Sequence, residues 1–360
     1  MFNYYVIGAA DTFPISPAIE RFAHETNVVA VDGRAGWTEE PHARLDRLDQ
    51  TAFRSAKKVN AIVGSGETGE FFDNRAYSFI SSTRAFAADF MDWTYLRPGL
   101  PLQMKQLQRG NQKTSRDTVT LESLVEDSEC GPPDLLYIDV EGSEFDVLSA
   151  AVDTLKNSVI RIDLEAQMVP MFEGQHLFDD ILKLMRSCGF MMTQSSFGNW
   201  TPFKRRSNLP TKGFAVSGHV EFVKDPRLVA DMKDPLRAAL KAAVFHVGQG
   251  DLLYANHMLT VVVPDLIERG HDRLPRQMPD YVKFALAIAQ LLSEGEAGFQ
   301  MPGRGSKQTA AAWHAKHHAI IERVRSTEET RLESFLRESG FHQTADTAKA
   351  FRQQSVELAD

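Results

Sequence analysis

The 360-residue chain is predicted to be an α/β protein built on a mostly parallel sheet, with a helical extension at its C-terminal end. Three observations predict this. Short apolar runs alternate with amphipathic segments over the first two-thirds, the βαβα order that gives a parallel sheet covered on both faces. The run Asp134 to Asp139 (DLLYID) is nearly continuous in apolar character, as buried parallel strands are. From Pro226 onward only helical spacing is found.

In order, Tyr4 to Ile7 is the first strand, ending at Gly8, and Pro14 to His24 is a helix candidate. Asn27 to Asp32 (NVVAVD) is the second strand, because its valines suit a pleated, buried surface. Glu39 to Ala56 is charged and helical, Lys58 to Val63 is the third strand, and residues 64–70 (GSGETGE) form a turn. Residues 73–118, punctuated by Pro98, Pro101 and Gly110, are too long for a plain connection and are expected to form an excursion or lid beside the site. After the strand at Asp134 to Asp139, a helix over Glu144 to Leu155 has Ser143 at its N-cap position. Val159 to Leu164 is the fifth strand, and Leu177 to Ser187 is a helix ended by Gly189. Phe190 to Ser195 and Phe214 to Val223 complete seven strands. Helices are expected over Leu228–Ala243, Leu252–Glu268, Tyr281–Leu292, Thr309–Arg325 and Glu328–Arg337. The expected domains are 1–226 and the all-helical 227–360.

Composition narrows the function. With 43% hydrophobic and 24% charged residues the chain is ordinary for a globular protein. Net charge −8 argues against a binder of nucleic-acid backbones, which needs a broad basic surface. Two cysteines, Cys130 and Cys188, make neither a disulfide framework nor a cysteine-rich zinc site. No leader pattern opens the chain, and no apolar stretch reaches the roughly 18 residues of a membrane span. A reducing, cytoplasmic location is therefore expected.

The segment Tyr137 to Leu148 carries the most chemistry. If the strand stays extended, Asp139 and Glu141 point the same way. They then lie at the carboxyl end of a buried strand, where open α/β sheets bind ligands. Gly142 permits a sharp turn. Glu144 is explained as a first-turn acid favoured by the helix dipole, whereas a half-buried Asp139 requires a partner. Asp32 closes the second strand 24 residues after Gly8, close to the spacing expected of an acid that bonds ribose hydroxyls. A turn-forming Asp before Gly33 is the other reading.

This segment and its flanks resemble the FkbM family of S-adenosylmethionine-dependent methyltransferases. Its strand ending Asp-x-Glu-Gly-x-Glu, followed by a helix opening Val-Leu, is matched by Asp139, Glu141, Gly142, Glu144, Val147 and Leu148. Val119 to Leu124, Ile160 to Glu165, Ala61 to Gly64 with Gly69, Ser81-Ser82, and His219 to Pro226 look like further family elements. The resemblance covers roughly residues 1–226. It implies a seven-stranded Rossmann-like class I methyltransferase fold with S-adenosyl-L-methionine across the ends of strands one to three. The implied cofactor contacts are Gly8, Ala9, Ala10, Asp11, Asp32, Gly33, Val63, Gly64 and Ser65. At the first strand the chain departs from the family, with Val6, Ala10 and Thr12 in place of an acid, an Asn and a glycine. Asp11 is the candidate to compensate for the missing acid.

The implied reaction is O-methylation of a hydroxyl on a sugar, glycan or related small metabolite. It needs alignment of donor and nucleophile and a base for the hydroxyl proton. Candidate bases are Asp139, Glu141, Glu165 and His176; a structural role at a helix start is an equal reading for His176. A divalent cation held by the acids ranks lower. The alternative class is a methyltransferase-like fold without catalysis, serving as a binding module whose helical tail meets a protein partner or a second copy. A nicotinamide dehydrogenase is disfavoured because the first turn lacks Gly-x-Gly-x-x-Gly. His314 and His318 read as a solvated helix face, Gly303 to Lys307 as a linker, and Lys204-Arg205-Arg206 as solvated charge.

Overall fold

A computed structural model describes residues 2–9, 13–34, 53–74, 81–87, 111–200, 214–249 and 251–271. Ala10, Asp11, Lys204 to Arg206, Gly303 to Lys307, His314, His318 and the three helices expected beyond residue 280 lie outside them, as do most of the helix expected over Glu39–Ala56 and much of the 73–118 excursion. The chain divides into two compact units.

One unit spans Phe2–Pro14 and His24–Asp225 and holds the sheets. Ten strands are described: β1 (Phe2–Ile7), β2 (Thr26–Asp32), β3 (Ser55–Asn60), β4 (Ile62–Val63), β5 (Thr68–Asn74), β6 (Asn111–Val119), β7 (Leu135–Ile138), β8 (Arg161–Gln167), β9 (Phe190–Trp200) and β10 (Phe214–Lys224). Seven form one sheet in the order β3-β2-β1-β7-β8-β10-β9. All run parallel except β10, which is antiparallel to both of its neighbours. The chain reverses its direction of travel across the sheet between β1 and β7, which opens a crevice at their carboxyl ends.

Alternation along the strands splits the sheet into two unlike faces. Tyr5, Ile7, Val29, Val31, Leu136, Ile138, Ile162 and Leu164 share one core with residues of four helices. These are α2 (Leu121–Asp127), α3 (Glu144–Ser149), α4 (Val152–Asn157) and α5 (Phe178–Ser187), which contribute Leu121, Leu124, Val147, Leu148, Leu155, Ile181 and Met185. On the opposite face of β8 and β10 the side chains are polar: Arg161, Asp163 and Glu165 stand against Glu221 and His219. Arg161 pairs with Glu221 at 2.8 Å.

Several expectations are corrected. The third strand divides into β3 and β4, and β3 takes in Ser55 and Ala56, which the sequence assigns to a helix. β3 is an edge strand facing water, so it lacks the apolar signal of a buried one. The ends of the 73–118 excursion are not irregular: β5 pairs antiparallel with β6 from Thr68↔Asp117 to Asn74↔Asn111, and β4 joins β6 in parallel. The helix over Glu144–Leu155 breaks because Ala151 donates to the Leu148 carbonyl, a three-residue step that interrupts the four-residue ladder. Ser143 occupies the N-cap position but makes no side-chain cap bond there. Gly189 ends α5 in the left-handed conformation as expected, with φ 82°.

The second unit takes Ile15–Ala23 together with the chain from Pro226. Its helices are α1 (Pro17–Arg21), capped by Ser16, then α6 (Pro235–Gln249), α7 (Leu252–His257), capped by Asp251, and α8 (Val263–Glu268). The helix expected over Leu228–Ala243 is a 3₁₀ segment over Pro226–Asp231 followed by α6, which Pro235 opens. A π turn at Met258–Val262 joins α7 to α8. Gly248 lets α6 approach α1, since a Cβ there would lie 2.6 Å from the Phe22 ring. Among the described residues no helix is long and apolar enough to cross a membrane.

Lys224 ties the first unit's last strand to its helices. It is buried, donates to the carbonyls of Leu155 (3.0 Å) and Cys188 (2.8 Å), and lies over the Phe190 ring. Lys224→Met leaves those carbonyls without this donor and is expected to cost about 1–3 kcal/mol in denaturant unfolding; an unchanged midpoint would refute the tie.

Candidate functional site

The site lies where β1 and β7 part. β7 ends at Ile138, and Asp139 still donates its N–H to the Ile7 carbonyl at 3.0 Å. The Asp139 carbonyl then occupies space that a side chain on the residue after β1 would need. Gly8 has φ 83°, and a Cβ there would lie 1.8 Å from that oxygen. Only glycine fits.

Beyond Asp139 the chain does not stay extended. Glu141 has φ 54°, the only positive value at a non-glycine among the described residues, and Gly142 follows at 95°. Asp139 and Glu141 do meet, through a left-handed turn and not through strand alternation. Glu144 holds the turn. Its side chain is buried, and its Oε1 accepts the N–H groups of both Val140 (3.1 Å) and Gly142 (3.2 Å). From the other side Ser82 Oγ donates to the Glu141 carbonyl at 2.6 Å, and Thr83 bonds Ser143. Arg84 anchors the same segment to Asp146 (2.6 Å) and to the Gly174 carbonyl (2.6 Å). The Phe172 ring, stacked on Phe86, occupies the space beside Gly142.

Asp139, Glu141 and Glu165 come together, each offering an oxygen within 4.8 Å of the others. Among the described residues they are the one group of three or more acidic, His or Cys side chains compact enough to surround a cation. Tyr137 donates its hydroxyl to Asp139 at 3.1 Å. Gln167 donates to Glu165 at 3.2 Å and accepts from Gln175 at 2.6 Å. Burial, then the charge of Asp139, pushes the Glu165 carboxyl up to about 7, against the opposing pull of His219.

His219 is the histidine the sequence reading passed over. In register it stands opposite Glu165; its ring stacks on Tyr137, and its Nδ1 lies 3.8 Å from Asp163. Its pKa is raised, first by the neighbouring Asp163 carboxylate and then, against the effect of burial, by the surrounding acids. The available signal was the polar alternation Ser217, His219, Glu221 on the closing strand, matching Asp163, Glu165 and Gln167 on β8. His176 does not join the three carboxylates: it stacks on Phe145 and pairs with Asp180 at 3.1 Å.

On the β2 side, Asp32 makes a turn, its Oδ1 accepting the Arg34 N–H at 2.9 Å with Arg34 Nε at 3.4 Å. Gly33 is pressed against Ile62, where a Cβ would come within 2.3 Å, and its carbonyl accepts Arg116 at 3.2 Å. Ala9 is buried and donates to Val31. Val63 is buried, Gly64 donates to Val119, and Ser65 is exposed.

Chemically, the site offers clustered carboxylates, of which Glu165 holds or releases a proton near neutral pH. Glu144 lies under them with its carboxyl pushed up to about 8, by burial first and the Glu165 charge second. A raised carboxyl keeps a proton in the folded state that the unfolded chain has released. Its stabilising contribution is therefore complete below the ordinary carboxylate range and is lost as pH rises through about 8. Wild-type melting temperature should fall between pH 5 and 8 more steeply than that of Glu144→Gln; parallel curves would contradict this origin.

Residues 40–192 match the family described as "Methyltransferase FkbM domain". No curated protein and no solved structure matches the chain. The matched residues include Asp139, Glu141, Gly142, Glu144 and Glu165 and stop short of His219, while β1 and β2 precede them. The seven-stranded order, with its single antiparallel strand, agrees with the Rossmann-like sheet expected of such a domain. Residues 40–192, less than half of the chain, thus carry the sequence of an FkbM-type methyltransferase domain.

Proposed function

We propose that this methyltransferase moves the methyl group of S-adenosylmethionine to a hydroxyl of a sugar, glycan or related small metabolite, with Glu165 as the base. The observation that carries this reading is the meeting of Asp139, Glu141 and Glu165 at the carboxyl ends of β7 and β8, beside the crevice between β1 and β7. The cofactor supplies an electrophilic methyl group on a sulfonium. The site's charge suits it, since clustered carboxylates attract a cation.

Gly8, Ala9, Asp32, Gly33, Val63, Gly64 and Ser65 are the described residues proposed to hold the nucleoside. At Gly8 and Gly33 the space a Cβ would take is filled by the Asp139 carbonyl and the Ile62 side chain, which fixes the backbone on that side. The Asp32 carboxylate, oriented by the Arg34 N–H, is proposed to accept a ribose hydroxyl. Glu165 takes the proton of the acceptor hydroxyl, and Asp139 and Glu141 orient that hydroxyl by accepting from its neighbours. His219 opposes the negative charge that Glu165 acquires when it is ionised. The free thiols of Cys130 and Cys188 support a reducing, cytoplasmic setting.

Calorimetric titration with S-adenosylhomocysteine is expected to show binding, weakened at least tenfold by Asp32→Ala; no heat at millimolar ligand would overturn the enzymatic reading. With tritiated methyl donor and a panel of sugars, transfer should rise with pH through about 7 as Glu165 ionises. Glu165→Gln should bind S-adenosylhomocysteine normally and abolish transfer. A Glu165→Gln protein with undiminished transfer would remove Glu165 as the base.

A further inference from the structure

The Glu144 side chain lies outside the cluster of Asp139, Glu141 and Glu165, and it accepts the N–H groups on either side of Glu141. We propose that Glu144 is the positioning residue of the site: its buried carboxyl group gathers the Val140 and Gly142 N–H groups and so locks Glu141 in the left-handed turn that carries the Glu141 carboxylate to Asp139 and Glu165. The functional meaning of this role rests on the reading of the site given above. The conformational claim stands on its own geometry.

One oxygen of Glu144 receives two backbone N–H groups. In an extended strand the N–H groups of residues two apart point the same way but sit about 7 Å from each other. Here both reach Glu144 Oε1, at 3.1 and 3.2 Å, which an extended residue 141 would not allow. Gly142 also donates to Oε2 at 3.1 Å, so the turn is held by both carboxylate oxygens. N–H groups two residues apart that converge on an acceptor form a backbone nest, and the Glu144 carboxyl fills this one. The left-handed conformation is sterically unfavourable for a residue with a Cβ. Glycine would relieve it, but glycine brings no carboxylate to the cluster. Ser82 is the other jaw, bonded to the Glu141 carbonyl at 2.6 Å.

A mutant cycle on the full chain separates this role from a general structural one. E141G and E141A both lose the carboxylate, and they differ in the cost of a positive φ. With Glu144 present, E141G should melt about 2–4 °C above E141A. In the E144A background residue 141 is free to leave the turn, and the gap should vanish or reverse. A merely destabilising loss of Glu144 leaves the gap unchanged, and an unchanged gap would overturn the proposal. E144D, one methylene shorter, provides the same comparison if E144A does not fold. Amide exchange at Gly142 should quicken at least tenfold in E144A and stay within about threefold of wild type in E144Q, whose amide oxygen still accepts; equal acceleration in both variants would also overturn it. Neither readout involves cofactor. Silence in the S-adenosylhomocysteine titration thus removes the methyltransferase reading alone, and an unchanged gap removes the positioning role alone.

Discussion

Glu144 opens α3 with its carboxyl group sealed from water, and the N–H groups of Val140 and Gly142 are its hydrogen-bond donors. An ionised carboxylate so placed is costly, because backbone dipoles replace only part of its lost hydration. The chain tolerates the cost by letting the group stay protonated to about pH 8. In return, a loop of five residues between β7 and α3 has one conformation. Gly8 fits against that loop at the Asp139 carbonyl, Ser82 closes on it at the Glu141 carbonyl, and Phe172 packs beside Gly142. The junction of β1 with β7 and the placement of the acidic side chains thus share one physical cause.

The two faces of the sheet divide the labour. Apolar residues on one face pack against four helices. On the other, β8 and β10 display paired charges whose spacing is set by antiparallel register, so that His219 stands opposite Glu165. A base needs a proton affinity near the working pH. Burial and the neighbouring Asp139 raise Glu165 toward that range, while His219 keeps it from rising further. The same negative cluster matches a sulfonium in charge, so binding of the donor and activation of the acceptor draw on one set of residues.

What was legible in the sequence follows burial. β1, β2 and β7 are read from nearly continuous apolar runs, β8 from Val159, Ile160, Ile162 and Leu164, and Gly189 marks the end of α5 because a left-handed residue is needed there. β3 is read only from Lys58 onward and β6 is not recognised: one is an exposed edge and the other a polar partner of β5, and strands held mainly by backbone pairing leave little hydrophobic pattern. The meeting of Asp139 with Glu141 was anticipated for the wrong reason, since strand alternation takes no account of a side chain three residues ahead that curls the backbone. Glu144 looked like any first-turn acid, because sequence does not report burial of a single carboxylate. His176 drew notice as a lone histidine after a glycine, whereas His219 owes its place to long-range pairing with β8, which no local pattern encodes.

The central claim is that the carboxylates following β7 border the crevice that accepts the methyl donor. A crystal structure of the full chain with S-adenosylhomocysteine tests it most directly. The account predicts a nucleoside over the ends of β1 and β2, with its sulfur turned toward Asp139 and Glu165. A ligand bound elsewhere, or a crevice filled by the chain's own side chains with those carboxylates shut away from it, would contradict the account.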